Sequence, residues 1–152
     1  MTPILETVRL VLHPLALADA EQVQRLFANW EIVQYLNNRV PWPYPPDGAQ
    51  TFYRDVALPA IERGDAWHWN LRLKTAPNEI IGSIGLARHG DNRGFWLGRA
   101  WQGRGLMMEA CTAVTDFWFD TLHFPVLRVS KAGPNVASQR ISEKQGMRLV
   151  GV

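Results

Sequence analysis

The residues most able to do chemistry lie between Phe95 and Ala110. An apolar stretch, Phe95, Trp96 and Leu97, runs into Gly98, Arg99, Ala100, Trp101, Gln102, Gly103, Arg104 and Gly105. The chain then continues as Leu106, Met107, Met108, Glu109 and Ala110. The pattern is a strand, a glycine-rich loop and a long amphipathic helix. The first four amides of such a helix lack intrahelical partners and carry the positive end of its dipole. Gly103 and Gly105 remove side chains that would block an anion, and Arg104 adds charge, so the segment has the makings of a phosphate cradle. A Walker loop would need a Gly-Lys-Ser/Thr ending, which is absent. A dinucleotide fingerprint would need a third glycine or alanine where Met108 stands, and an acid ending the next strand, expected at Val126 to Lys131.

A second constellation follows one helix and one strand later. It comprises Asn135, Ser138, Arg140, Glu143, Lys144 and Gly146, in the spacing N-x-x-S-x-R-x-x-E-K-x-G followed by Met147. The cradle resembles the Q/R-x-x-G-x-G/A motif of the GNAT superfamily of N-acetyltransferases, with Gln102 and Gly105 at its defining positions. The second segment is similar to another motif of that family, in the expected order. Met108, Glu109 and Ala110 resemble the Thr-Glu-Ala of the ribosomal-protein-alanine acetyltransferase branch. One departure is Met107, which stands where the family has Gly or Ala; its side chain either narrows the cradle or points into the core.

The resemblance implies an α+β fold: a central, mostly antiparallel twisted sheet with helices on both faces and strands splayed at the cofactor site. It implies that Leu97, Gly98, Arg99, Gln102, Gly103, Arg104, Gly105, Leu106, Met107, Asn135 and Ser138 hold coenzyme A, with acetyl-CoA as donor and no metal. It further implies direct transfer of acetyl to a primary amine within a ternary complex. The amine must be neutral to attack, which is easier for a protein α-amino group (pKa about 8) than for lysine (about 10.4). The oxyanion needs a preorganised donor, which the family supplies from a backbone amide in the region of Trp96, Leu97 and Gly98. Ser138 is the candidate for stabilising the leaving thiolate. No general base is assigned. Glu62, Asp65, His68, His89 and Asp91 are conceivable, and so is a water chain. Trp30, Trp42, Tyr44 and Trp96 are candidates for walls of the acceptor pocket.

Positioning these groups requires a recognisable set of elements. Val8 to His13 reads as an opening strand. Ala18 to Trp30 reads as a helix, with Val23, Leu26, Phe27 and Trp30 on one face. Four prolines among residues 41–46 leave only a stiff extended loop there. A helical pattern over Asp47 to Arg63 is expected to kink near Pro59. Trp67 to Lys74, Glu79 to Ala87 and Arg93 to Leu97 should form an antiparallel meander, with turns at 76–78 and 90–92. The cradle helix runs Leu106 to Leu122, a strand follows at Val126 to Lys131, and a helix spans Asn135 to Gln145.

The bulk properties narrow the function classes. With 152 residues the chain is a single domain. Sixteen basic against 14 acidic residues give a net charge of +2, too small to argue for nucleic acid or an anionic membrane as partner. One cysteine, Cys111, excludes an internal disulfide framework and reads as a small core residue in a reducing compartment. Neither a signal peptide nor an apolar run of about 20 residues is present, so a cytoplasmic location is the default. His13, His68, His89 and His123 lack metal-ligand spacing. The family's final hairpin needs one more strand than the residues after Met147 supply. Either the chain is truncated or the sheet closes differently, for instance against a second copy. Two function classes stay open: an active N-acetyltransferase with an acceptor not yet defined, and an acyl-CoA-binding sensor without turnover.

Overall fold

The computed structural model describes residues 2–27, 45–129, 141 and 145. Five strands, β1 (Leu5–Glu6), β2 (Leu10–Pro14), β3 (Ala66–Leu73), β4 (Ala76–Ala87) and β5 (Arg93–Leu97), pair in sequence order. Every ladder among them is antiparallel. Val8 and Arg9 are not part of the opening strand. They form the β1–β2 turn, in which the Thr7 amide donates to the Leu10 carbonyl at 3.0 Å and Val8 is left 87% exposed.

The β3–β4 turn also differs from expectation. Leu73 pairs with Ala76, so Lys74 and Thr75 make the turn and Pro77 lies inside β4. The register shift between Arg72 and Leu73, which leaves residues 77–79 without a ladder partner, tolerates it, because a bulged ladder does not demand an amide from every residue. Gln22 compensates at this irregularity: its side-chain oxygen accepts the Ile80 amide at 3.1 Å and its nitrogen donates to the Asn78 carbonyl at 3.2 Å.

Strand alternation sends the sheet's side chains to two faces. Leu10, Leu12, Trp67, Trp69, Leu71, Ile84, Leu86 and Leu97 pack against α3 (Leu106–Asp116), which continues as a π-type turn over Phe117–Thr121. The opposite face is covered by α1 (Ala20–Phe27) and by α2, helical over residues 48–62, with Ile80 meeting Val23, Ala49, Tyr53 and Ala57. The break in α2 is a π-type turn at Tyr53–Ala57, just before Pro59, whose missing amide cannot continue the regular ladder. Helices therefore cover both faces, as the resemblance implied.

Residues 126–129, the described part of the expected strand, form no ladder with any described residue. They are held to the start of β5 by Asn92, whose amide donates to the Arg128 carbonyl and whose side-chain oxygen accepts the Arg128 amide, both at 2.8 Å. Past that contact the two segments have no pairing among the described residues. No described helix is long and apolar enough to cross a membrane.

Candidate active site

The site begins with the direction of one backbone amide. The Gly98 amide donates to the Ile81 carbonyl at 2.7 Å, and Gly82 pairs with Leu97. In an antiparallel ladder this makes Gly82–Leu97 a pair without mutual hydrogen bonds. The N–H and C=O of Leu97 consequently point away from β4, toward the outer side of β5. The carbonyl is occupied by the Gln102 side-chain amide at 2.9 Å. Gln102, a defining residue of the cradle motif, thus braces the strand end and not the helix.

Gly98 then turns the chain closely. A Cβ at this position would stand 2.7 Å from the Trp101 ring and 3.1 Å from the Ile81 carbonyl. Arg99–Trp101 forms a single 3-10 turn, with Arg99 and Arg104 exposed on the loop. Gly103 and Gly105 both adopt left-handed backbone, φ +79° and +77°. Expectation gave them the role of clearing space. The structure adds a stronger reason, since this conformation costs other residues about 1–2 kcal/mol. A Cβ on Gly103 would meet no described atom within 4 Å, so the left-handed backbone and not crowding is what favours glycine there.

Gly105 is the N-cap of α3, and the Glu109 amide, at 3.2 Å from the Gly105 carbonyl, makes the first α-helical bond. The amides of Leu106, Met107 and Met108 fall in the orphan first turn. Met107 is 6% exposed and belongs to the core cluster with Leu106 and Ala110. Its side chain points inward and does not narrow the loop. Cys111 is fully buried in the same cluster.

Arg9 was not singled out from the sequence, yet it grips this loop from the β1–β2 turn. Its backbone amide and Nε donate to the Glu109 carboxylate at 2.8 and 2.6 Å, and its Nη1 donates to the Arg104 carbonyl at 2.9 Å. The Thr7 hydroxyl adds a third bond to Glu109, at 2.6 Å. Burial works to raise the Glu109 pKa, but the bonds from Thr7 and Arg9 outweigh it and hold the carboxyl below its ordinary value. No sequence signal links residues 100 positions apart.

The other candidates distribute unevenly. Trp96 lies on the α1/α2 face, half-buried against the apolar cluster there. The Asp65 carbonyl accepts the Arg88 amide, and Ala66 pairs with Ala87. Asp65 and neighbouring Glu62, like His89 and Asp91 in the β4–β5 turn, are therefore at the end of the sheet where β5 starts. Four residues of β5 separate that end from Leu97, about 14 Å. His68 is packed against Phe52 and Tyr53, and burial pushes its pKa down to about 4, which makes it a poor proton acceptor. Trp30, Trp42, Tyr44, Asn135 and Ser138 lie outside the described residues. Of the second motif, the described residues are Ile141, which packs against the core cluster behind α3, and Gln145. The Gln145 side-chain oxygen accepts from buried Arg93, which also donates to the Thr115 hydroxyl at 2.8 Å. Among the described residues no group of three or more His, Cys, Asp or Glu side chains could hold a metal.

Comparison with known proteins agrees with this geometry. Residues 9–148 match the family model of the acetyltransferase (GNAT) domain, and the chain belongs to that family. It is an acetyl-CoA-dependent N-acetyltransferase by class. An uncharacterised N-acetyltransferase of Bacillus subtilis (strain 168), YoaA, is 31% identical over 160 residues, covering 100% of this chain and 86% of its own. A solved acetyltransferase from Agrobacterium tumefaciens str. C58 is 30% identical with a TM-score of 0.76, covering 96% of this chain and 84% of that one. RimL, a ribosomal L7/L12 α-N-protein acetyltransferase solved with coenzyme A, superposes with a TM-score of 0.79 over 98% of this chain and 86% of that one. At 18% identity it is a likeness of fold alone.

Proposed function

We propose that the chain is an active N-acetyltransferase that holds the donor diphosphate on the amides of residues 103–108 and carries an acetyl group to a primary amine, either a protein N-terminus or a small-molecule amine. The observation that carries the proposal is the Leu97 amide, turned away from β4 immediately before a loop with two left-handed glycines. An anion site and an oxyanion donor next to each other along the chain suit a thioester whose handle is a diphosphate.

In this reading the amine nitrogen attacks the thioester carbonyl as its lone pair forms the N–C bond. The Leu97 N–H takes the charge that develops on oxygen. Collapse of the tetrahedral species breaks the C–S bond, and the thiolate is held by a hydrogen bond from the Ser138 hydroxyl or takes its proton, which the serine then recovers from water. The nitrogen releases its surplus proton to water, since the described acids and imidazoles considered above lie far from Leu97 or, for His68, are too weakly basic. An acceptor with an ammonium pKa near 8 fits best, because an appreciable fraction is neutral without a dedicated base.

The sensor alternative loses one support, because Met107 points into the core and leaves the loop clear. The decisive experiment is thiol release from acetyl-CoA with a panel of N-terminal peptides and small amines. Turnover with any of them supports the enzyme, and binding without release across the panel favours the sensor. Ser138→Ala is expected to lower kcat with little change in coenzyme A affinity; unchanged kcat removes Ser138 from the mechanism.

A further inference from the structure

The loop's shape depends on a peptide group that the loop does not itself hold. Arg104 sits between the two left-handed glycines, and its carbonyl accepts from Arg9 Nη1 at 2.9 Å. A peptide unit is planar and trans, so its C=O and N–H point in opposite directions. Fixing the Arg104 carbonyl toward Arg9 therefore fixes the Gly105 amide away from it, across the mouth of the cradle. The guanidinium is in turn fixed by Glu109 through Nε at 2.6 Å, with the Arg9 amide and the Thr7 hydroxyl on the same carboxylate. Arg9 Nη2 stands 3.4 Å from where a Cβ on Gly105 would be, so the clamp lies directly against the αL residue.

Charge adds a second reason. Glu109 is in the first turn of α3, where an acid suits the helix dipole but repels a diphosphate bound at the same terminus. Pairing with Arg9 cancels that repulsion.

We propose that Arg9, held by Glu109 and Thr7, is a positioning residue that orients the Arg104–Gly105 peptide and thereby sets affinity for the diphosphate of the donor. This rests on the diphosphate site proposed above. Arg9 acts through the peptide and the carboxylate, not by touching the donor.

The test compares binding of coenzyme A with use of two donors, acetyl-CoA and S-acetylpantetheine, which lacks the diphosphate. Arg9→Ala is expected to raise the coenzyme A Kd and the acetyl-CoA KM on the order of tenfold, the size of one charge-assisted hydrogen bond. The ratio of kcat/KM for acetyl-CoA over S-acetylpantetheine should fall by a similar factor. Glu109→Ala should move affinity in the same direction, and the double variant should be no worse than the more affected single. Should Arg9→Ala not fold, Thr7→Val loosens the same carboxylate and should shift the ratio in the same sense by less. An unchanged Kd overturns the proposal. So does tighter binding by Glu109→Ala, which would mean that Arg9 meets the phosphates directly, and so does a loss shared equally by both donors. If the unaltered protein does not favour acetyl-CoA over S-acetylpantetheine, the diphosphate site itself is wrong.

Discussion

The two faces of the sheet solve different problems. Against α3 the contact is apolar and aromatic: Trp69 meets Phe117 edge-on at 5.5 Å, and Trp67 meets Trp118 at 6.5 Å. Against α1 and α2 the centre is polar. Buried Asn70 accepts from the Tyr53 hydroxyl at 3.3 Å and from the Ser83 hydroxyl, and it donates to Asp19 at 3.0 Å. Asp19 also receives Arg72 at 3.1 Å. An apolar face gains free energy in proportion to area and tolerates sliding, whereas a hydrogen-bonded cluster contributes little net energy but admits one arrangement. The first face supplies stability to the helix that starts at the donor loop. The second fixes how α1, α2 and the middle strands meet.

This contrast can be broken in order of size. Trp69→Ala on the α3 face should cost about 3–5 kcal/mol in urea unfolding, because it leaves a large cavity at a fully buried position. Asn70→Leu keeps the volume but removes the acceptor of the Ser83 hydroxyl and one partner each from Asp19 and Tyr53, so about 2 kcal/mol is expected. If it costs as much as Trp69→Ala, the division of labour between the faces fails. Gly105→Ala strains a left-handed residue by about 1–2 kcal/mol. Its coenzyme A affinity, measured calorimetrically, should fall by more than its stability loss explains.

The smallest effect at neutral pH belongs to His68→Phe. The His68 pKa is pushed by burial down to about 4, below its ordinary 6.5. The unfolded chain therefore takes up the proton first, and the contribution is complete above about pH 6.5 and is lost as pH falls toward 4. Thermal melts of the native protein should decline across that window more steeply than those of His68→Phe. Parallel curves would remove His68 as the source.

What the sequence disclosed was local. The glycine loop, the helix behind it and the meander all follow from patterns within a dozen residues, whereas the left-handed backbone of Gly103 and Gly105 came from the structure. Pro77 misplaced a turn because a two-residue connection at Lys74–Thr75 carries no glycine or asparagine signal, and the tolerating bulge is visible only once strands pair. Val126 to Lys131 has a strand's composition, but in the described part its backbone is held by Asn92 and by the Trp118 indole, which donates to the Val126 carbonyl at 3.0 Å. Arg9 escaped notice for a different reason: its partners lie about 100 residues on, and its own neighbourhood reads as the start of a strand. The candidates for the acceptor side, Trp30, Trp42 and Tyr44, lie outside the described residues, and periodicity carries no information about which amine fits there.

The order of the strands also has a consequence for how the molecule comes into being. Each described ladder joins a strand to its neighbour in sequence, so all of them can close once Leu97 has been made. Short-range pairings close early because little loop entropy opposes them, and chains emerge N-terminus first. The donor loop and α3 come afterwards, with a sheet already present to dock on. Arg9 then waits at the sheet's first turn for a carboxylate 100 residues later, which makes completion of the loop one of the last events of folding.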